Sequence, residues 1–115
     1  MTDFAQKVEI ILDNEKILAD DIYELNDIYR SIKDMFTQRG MHDVSQDDKL
    51  IFISRKGEKD AYCTCGLNVN YLYDAEWARP YLKKMLWYNG NRGSVEDALA
   101  ICSAFDKKYS EKRRA

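Results

Sequence analysis

Apolar residues recur along the first third of the chain at alternating spacings of four and three. Phe4, Val8, Ile11, Leu18, Ile22, Leu25, Tyr29, Ile32 and Phe36 keep this phase, and Glu15 is the one polar residue that falls on it. A stripe of that period is the seam of an amphipathic helix. Ile10, Ile17, Ile28 and Met35 widen it, while Glu9, Asp13, Asp20, Glu24 and Asp27 collect on the other side. The pattern predicts a long N-terminal helix over residues 3–38 with an acidic outer face, stopped at Gly40.

The polar turn Asp13-Asn14-Glu15-Lys16 interrupts this stripe. It leaves two alternatives open: a kink in one helix, or a hairpin of two strands joined near 13–16. Length sharpens the question. At 1.5 Å per residue such a helix would run ~54 Å, whereas a domain of this size is about 35 Å across. A straight helix would overhang its domain and expose its seam. The expectation is therefore a homodimer held through Val8, Ile11, Leu18, Ile22, Leu25, Tyr29 and Ile32.

Beyond Gly40 the pattern shortens. Leu50-Ile51-Phe52-Ile53 reads as a buried strand, with a capping-box helix from Ser45-Gln46-Asp47-Asp48 as the competing assignment. A turn through residues 55–59 leads to a returning strand at 61–65, extended at 67–71, so residues 49–71 are expected to form a small antiparallel hairpin or three-stranded sheet. Asp74 then opens a helix over 74–89 on the stripe Trp77, Tyr81, Leu82, Met85 and Tyr88, kinked or started late by Pro80. Residues 89–93 break the chain, and Ser94 with Asp97 caps a last helix over 94–112. The fold class expected is α+β and mostly helical, in one domain of 115 residues.

Composition adds bounds. Only five glycines and one proline favour helix over loop. The longest apolar run, residues 98–102, is too short to span a bilayer, and the first residues lack the basic and apolar regions of a secretory signal. Three cysteines, an odd number, fit reduced thiols and a cytoplasmic setting. The charge is uneven: residues 1–48 hold twelve acids and five bases, and residues 49–115 hold thirteen bases and eight acids. Such a split fits docked halves, a basic face for an anionic partner, or simply two solvated surfaces.

Candidate chemistry is sparse. Cys63, Cys65, Cys102 and His42 are the one conceivable zinc set, but a Cys-x-Cys pair is off the usual knuckle spacing, and packing is the plainer role. Neither a metal nor another cofactor is expected. No nucleotide-binding or metalloprotease motif occurs, and His42 sits in a polar loop, so catalysis has the least support. The loop 89–94 has the makings of an anion site at a helix start, and equally those of a plain connector. Trp87 is more informative. On a helix it would project beside Arg79, Lys83 and Lys84, with Arg92 nearby, as an interface anchor or a base-stacking platform. The plainer alternative is that another part of the chain covers it, since residues 62–88 hold seven of the fourteen aromatics.

The basic tail, residues 107–114, would add phosphate contacts, yet a pI near 5.4 argues against a dedicated duplex binder. The functional expectation is a non-catalytic interaction protein, a small regulator or inhibitor with a protein partner and no membrane association. A nucleic-acid-associated protein is the alternative, and an enzyme or zinc protein comes third.

Overall fold

The computed structural model describes the backbone of residues 4–114 and the side chains of residues 4–108. The chain begins with a strand, β1 (Phe4–Leu12), followed by α1 (Asn14–Asp20) and α2 (Leu25–Gln38). A two-residue strand β2 (His42–Asp43) precedes β3 (Lys49–Arg55) and α3 (Ala61–Asp74). A short 3₁₀ turn (Arg79–Tyr81) feeds β4 (Leu82–Asn89), which turns into β5 (Ser94–Asp97) and then α4 (Ala98–Arg114). The five strands form one antiparallel sheet in the order β2-β3-β1-β4-β5.

The long N-terminal helix is therefore corrected, and so is the hairpin alternative. Residues 4–12 alternate rather than wind: Gln6, Val8, Ile10 and Leu12 are buried, and Lys7, Glu9 and Ile11 are half-buried on the other side. The interrupting tetrapeptide is a helix start. Asp13 Oδ1 accepts the backbone N–H of Lys16 at 3.1 Å, and the Asp13 N–H donates to the Tyr81 carbonyl at 2.8 Å. The helix so capped lasts only to Asp20, and Asp21 closes it with φ at 51°. The helical period is real from Leu25 onward, where Ile28, Ile32 and Phe36 are buried one turn apart. Gly40, at φ +91°, lets the chain leave α2.

Two further assignments change. Residues 61–74 are helix, not strand, burying Cys65, Asn68, Val69 and Leu72 on one side. Residues 82–89 are strand, not helix, and Pro80 starts the 3₁₀ turn before it. The last helix begins at Ala98 rather than 94, because Asp97 Oδ1 caps it by accepting the Ala100 N–H at 3.0 Å. Ser94 belongs to β5. Residues 45–48 form no helix but a turn, with Gln46 bridging to Lys49. The apolar run at 50–53 lies within β3.

In this strand order β1 and β2 run parallel, as do β3 and β4, and each pair is joined by helices across the strand between them. The first crossover moves one way along the sheet and the second moves the other way from a reversed strand. Crossovers of one hand therefore place their helices on the same face. The contacts agree. Phe36 of α2 stacks on Phe52 of β3 with ring centroids 4.3 Å apart, and Trp87 of β4 lies against Gly66 of α3. Register puts Val8, Phe52 and Trp87 side by side, and Ile10 beside Leu50 and Met85. The core sits between this face and the helices.

The molecule measures 41 × 40 × 22 Å. Its thin dimension is what one sheet and one layer of helices occupy. Among the described residues no helix is long and apolar enough to cross a membrane.

Candidate functional site

The other face of the sheet carries no helix. Its positions follow from register: Lys7, Glu9 and Ile11 on β1 lie beside Ile53, Ile51 and Lys49 on β3, and beside Tyr88, Leu86 and Lys84 on β4. β5 adds Val95 next to Tyr88 and Asp97 next to Leu86, and β2 adds His42 next to Ile53. A register shift at Ala5 brings Phe4 opposite Arg55, and so onto this face. A sheet face left to water usually alternates to polar residues. Here Phe4, Ile11, Ile51, Ile53, Leu86 and Tyr88 are half-buried by their neighbours alone, and Val95 is 56% exposed.

The charges on this face lean basic. Lys7, Lys49, Lys84 and Arg55 stand against Glu9 and Asp97. The Glu9 carboxylate is engaged by Lys49 at 3.6 Å. The Lys7 ammonium lies over the Tyr88 ring at 4.2 Å and the Phe4 ring at 5.0 Å, which occupies ring surface that a stacked base would need. At the β2 edge His42 Nε2 meets Glu58 Oε1 at 2.9 Å. The Arg55 N–H donates to the same oxygen at 2.5 Å. That backbone bond first, and His42 second, hold the Glu58 carboxyl below its ordinary value.

The proposed binding set does not form one surface. Trp87 faces the helices and is half-buried. Its indole N–H donates to Gln6 Oε1 at 2.6 Å, and the Tyr62 ring lies 5.1 Å away at 36°. Its cover is α3, so the basic face that a helix over 74–89 would have given it does not exist. Arg92 joins it at a small cavity of about 30 Å³ with Tyr62, Asn89, Ser94 and Glu96, which has room for about one water. Arg79 lies in the 3₁₀ turn, where its guanidinium donates to the Tyr73 carbonyl at 3.3 Å. Lys84 lies on the open face. Lys83 is the residue without a partner in the β1–β4 register, and it is exposed.

The dimer seam is likewise dispersed. Val8 and Ile11 lie on opposite faces of β1, and Ile32 is core. Leu25 and Tyr29 pack at the core margin, with the Tyr29 hydroxyl donating to Asn14 Oδ1 at 2.6 Å. Leu18 and Ile22 are exposed at the end of α1 and in the turn after it. A homodimer through an N-terminal helix has lost its basis.

Loop 89–94 is a hairpin turn rather than a helix start. Asn89 Oδ1 accepts the N–H groups of Asn91 and Arg92, and Gly93 takes φ +67°. The zinc candidates fall on α3 and α4, apart from His42 on β2. Cys63 is exposed and Cys65 buried, and burial pushes the Cys65 thiol up to about 12. Among the described residues no group of three or more His, Cys, Asp or Glu is placed to hold a metal ion. The basic tail reaches the described residues only at Lys107 and Lys108; the side chains of Lys112, Arg113 and Arg114 lie outside them.

Sequence reasoning missed the open face. The signal was present in residues 49–53 and 84–88, where both alternating sets are largely apolar. Compared with the models of known families and with curated proteins, the chain matches none.

Proposed function

We propose that the chain is a non-catalytic interaction protein, a small regulator or inhibitor that takes up a protein partner on the open face of its sheet. One observation carries this reading: all the helices cover one face, while the opposite face keeps two apolar patches, Ile51 and Ile53 on β3 and Leu86, Tyr88 and Val95 on β4 and β5, which flank Lys7 and Glu9 of β1 with Ile11 beside them. Apolar surface that no helix of the fold covers marks an interaction site more often than an idle surface. The basic excess among these patches favours a partner that mixes acidic with apolar residues. Pairing two copies face to face would oppose like charges, which disfavours the self-complementary arrangement. The nucleic-acid alternative is weakened by the lysine over both rings of this face and by the acidic character of the chain as a whole.

The test is differential capture from the native host. Wild-type protein, Ile53→Glu, Leu86→Glu and a control on the helix side, Leu18→Glu, would be immobilised in parallel. The expected result is one protein retained by the wild type and by L18E, and lost at least about tenfold with I53E and L86E, all four melting within a few degrees. Equal retention by all four would overturn the open face as the docking surface. Salt-sensitive binding of single-stranded oligonucleotides, lost in I53E and L86E, would replace the protein partner with a nucleic acid.

A further inference from the structure

On the helix side, away from the open sheet, α3 and α4 leave a groove of about 580 Å³ between them. Asn70, Tyr73 and Asp74 form one wall, and Ile101, Phe105 and Asp106 form the other, with Cys102 between. Cys102 Sγ–H donates to Asn70 Oδ1 at 3.8 Å, tying the two helices at that point. Ile101 is 52% exposed and Phe105 69% exposed, although α4 turns both toward the groove. Volumes of this size are those of small-molecule sites, which are mostly apolar with a few polar groups that orient the ligand.

The polar groups here carry one sign. Asp74 and Asp106 are both exposed carboxylates and stand on opposite walls. Among the described residues no lysine or arginine lines the groove, and no cation lies within ion-pair distance of either carboxylate. The Arg79 guanidinium, on the turn after α3, is held over the Tyr73 ring at 5.7 Å and bonded to the Tyr73 carbonyl. Lys107 and Lys108 follow on α4 but do not line the cavity. The negative field is felt inside. Burial first, and the Asp74 charge second, raise the Cys102 thiol above its ordinary value.

We propose that the α3–α4 groove binds a small organic amine with an apolar or aromatic body. The body lies on Ile101 and Phe105, and the ammonium sits between Asp74 and Asp106. The apolar side chains give the body surface to cover, and an ammonium offers enough donors to serve both carboxylates. The compact volume suits a molecule better than a third helix, whose diameter alone is about 10–12 Å. This site is independent of the open-face reading, because it lies on the opposite layer.

A chemical-shift titration with three matched probes decides it: 2-phenylethylamine, 2-phenylethanol and phenylacetate, near neutral pH. The expected result is saturable amide shifts confined to residues 70–74 and 101–106, with the amine binding about tenfold more tightly than the alcohol and the carboxylate not binding. In the double variant Asp74→Asn with Asp106→Asn, the amine should fall to the affinity of the alcohol, whose own affinity stays unchanged. Equal affinities for all three probes, shifts spread over other elements, or no saturation would each overturn the proposal. Should the double variant lose its dispersed spectrum, the order of the three probes on the wild type decides alone.

Discussion

The two faces of the sheet are built from the same strands, residue by residue in alternation, yet they meet different solvents. On β1, Ile10 is fully buried while Ile11, its neighbour, is only half-buried. On β3, Phe52 is fully buried beneath the Phe36 ring, whereas Ile53 faces away from every helix. A strand with one wet face should read as apolar–polar alternation. β3 reads as an apolar run at 50–53 because its second face is apolar there as well, and β1 does the same only at 10–12. The difference teaches that hydrophobicity alone does not report burial here; the helices do.

Charge on adjacent residues gives the largest break in that comparison. Ile10→Asp buries an unpaired carboxylate and should cost several kcal/mol, enough to unfold the chain, whereas Ile11→Asp should cost about 1 kcal/mol or less. Thermal melts by circular dichroism check both, and equal losses would mean that the open face is covered. The same contrast recurs on α3. A thiol pushed up to about 12, as Cys65 is, holds about a thousandfold less thiolate at neutral pH than an ordinary cysteine. Exposed Cys63 should therefore be alkylated readily and Cys65 only on unfolding, as peptide mapping of a native labelling reaction would reveal.

Smaller effects sharpen the picture of the covered face. Ser54 is buried on it, and its hydroxyl has no hydrogen-bond partner. Ser54→Ala should be neutral or stabilising by about 1 kcal/mol, read as a raised denaturant midpoint with unchanged slope. A clear loss would instead indicate that a buried water completes the hydroxyl. The smallest effect belongs to the rim. The Glu58 carboxyl is held below its ordinary value, so its contribution is fully present above about pH 4.3 and fades as the pH falls through its lowered value. Glu58→Gln should lower stability slightly near neutral pH and leave it unchanged below that lowered value, which flattens this part of the acid limb, as thermal melts across the acid range would show.

Part of this architecture was legible in the sequence, and the rest was hidden for identifiable reasons. The period of Ile28, Ile32 and Phe36 with the stop at Gly40 marks α2, and the β-branched run at 50–53 marks the middle of β3. β1 was hidden because Phe4 and Ile11 from its open face and Val8 from its covered face together continue the phase of a real helix. Glu15 was the sign of the break: it lies in the first turn of α1, just after the capping Asp13. α3 has strand-like composition, yet its buried residues 65, 68, 69 and 72 keep a helical period. β4 was hidden because the extra residue at Lys83 disturbs the alternation, leaving a false helical stripe through Trp77, Tyr81, Met85 and Tyr88. Of the candidate site, only Lys84 was named for binding and found on the open face. Lys83 and Trp87 were placed by a helix that is a strand, Arg79 by one that is a 3₁₀ turn there, and Arg92 lies in the hairpin turn beyond.

The central position of β1 has a consequence for how the chain is made. It emerges before its partners β3 and β4, and Met85, opposite Ile10, follows 75 residues later. At about 5–20 residues per second, several seconds pass with an apolar strand that has both edges unpaired. Pairing across such separations is slow by nature. The early capping of α1 and the strong local period of α2 would give the nascent chain helices to hold before its sheet can close.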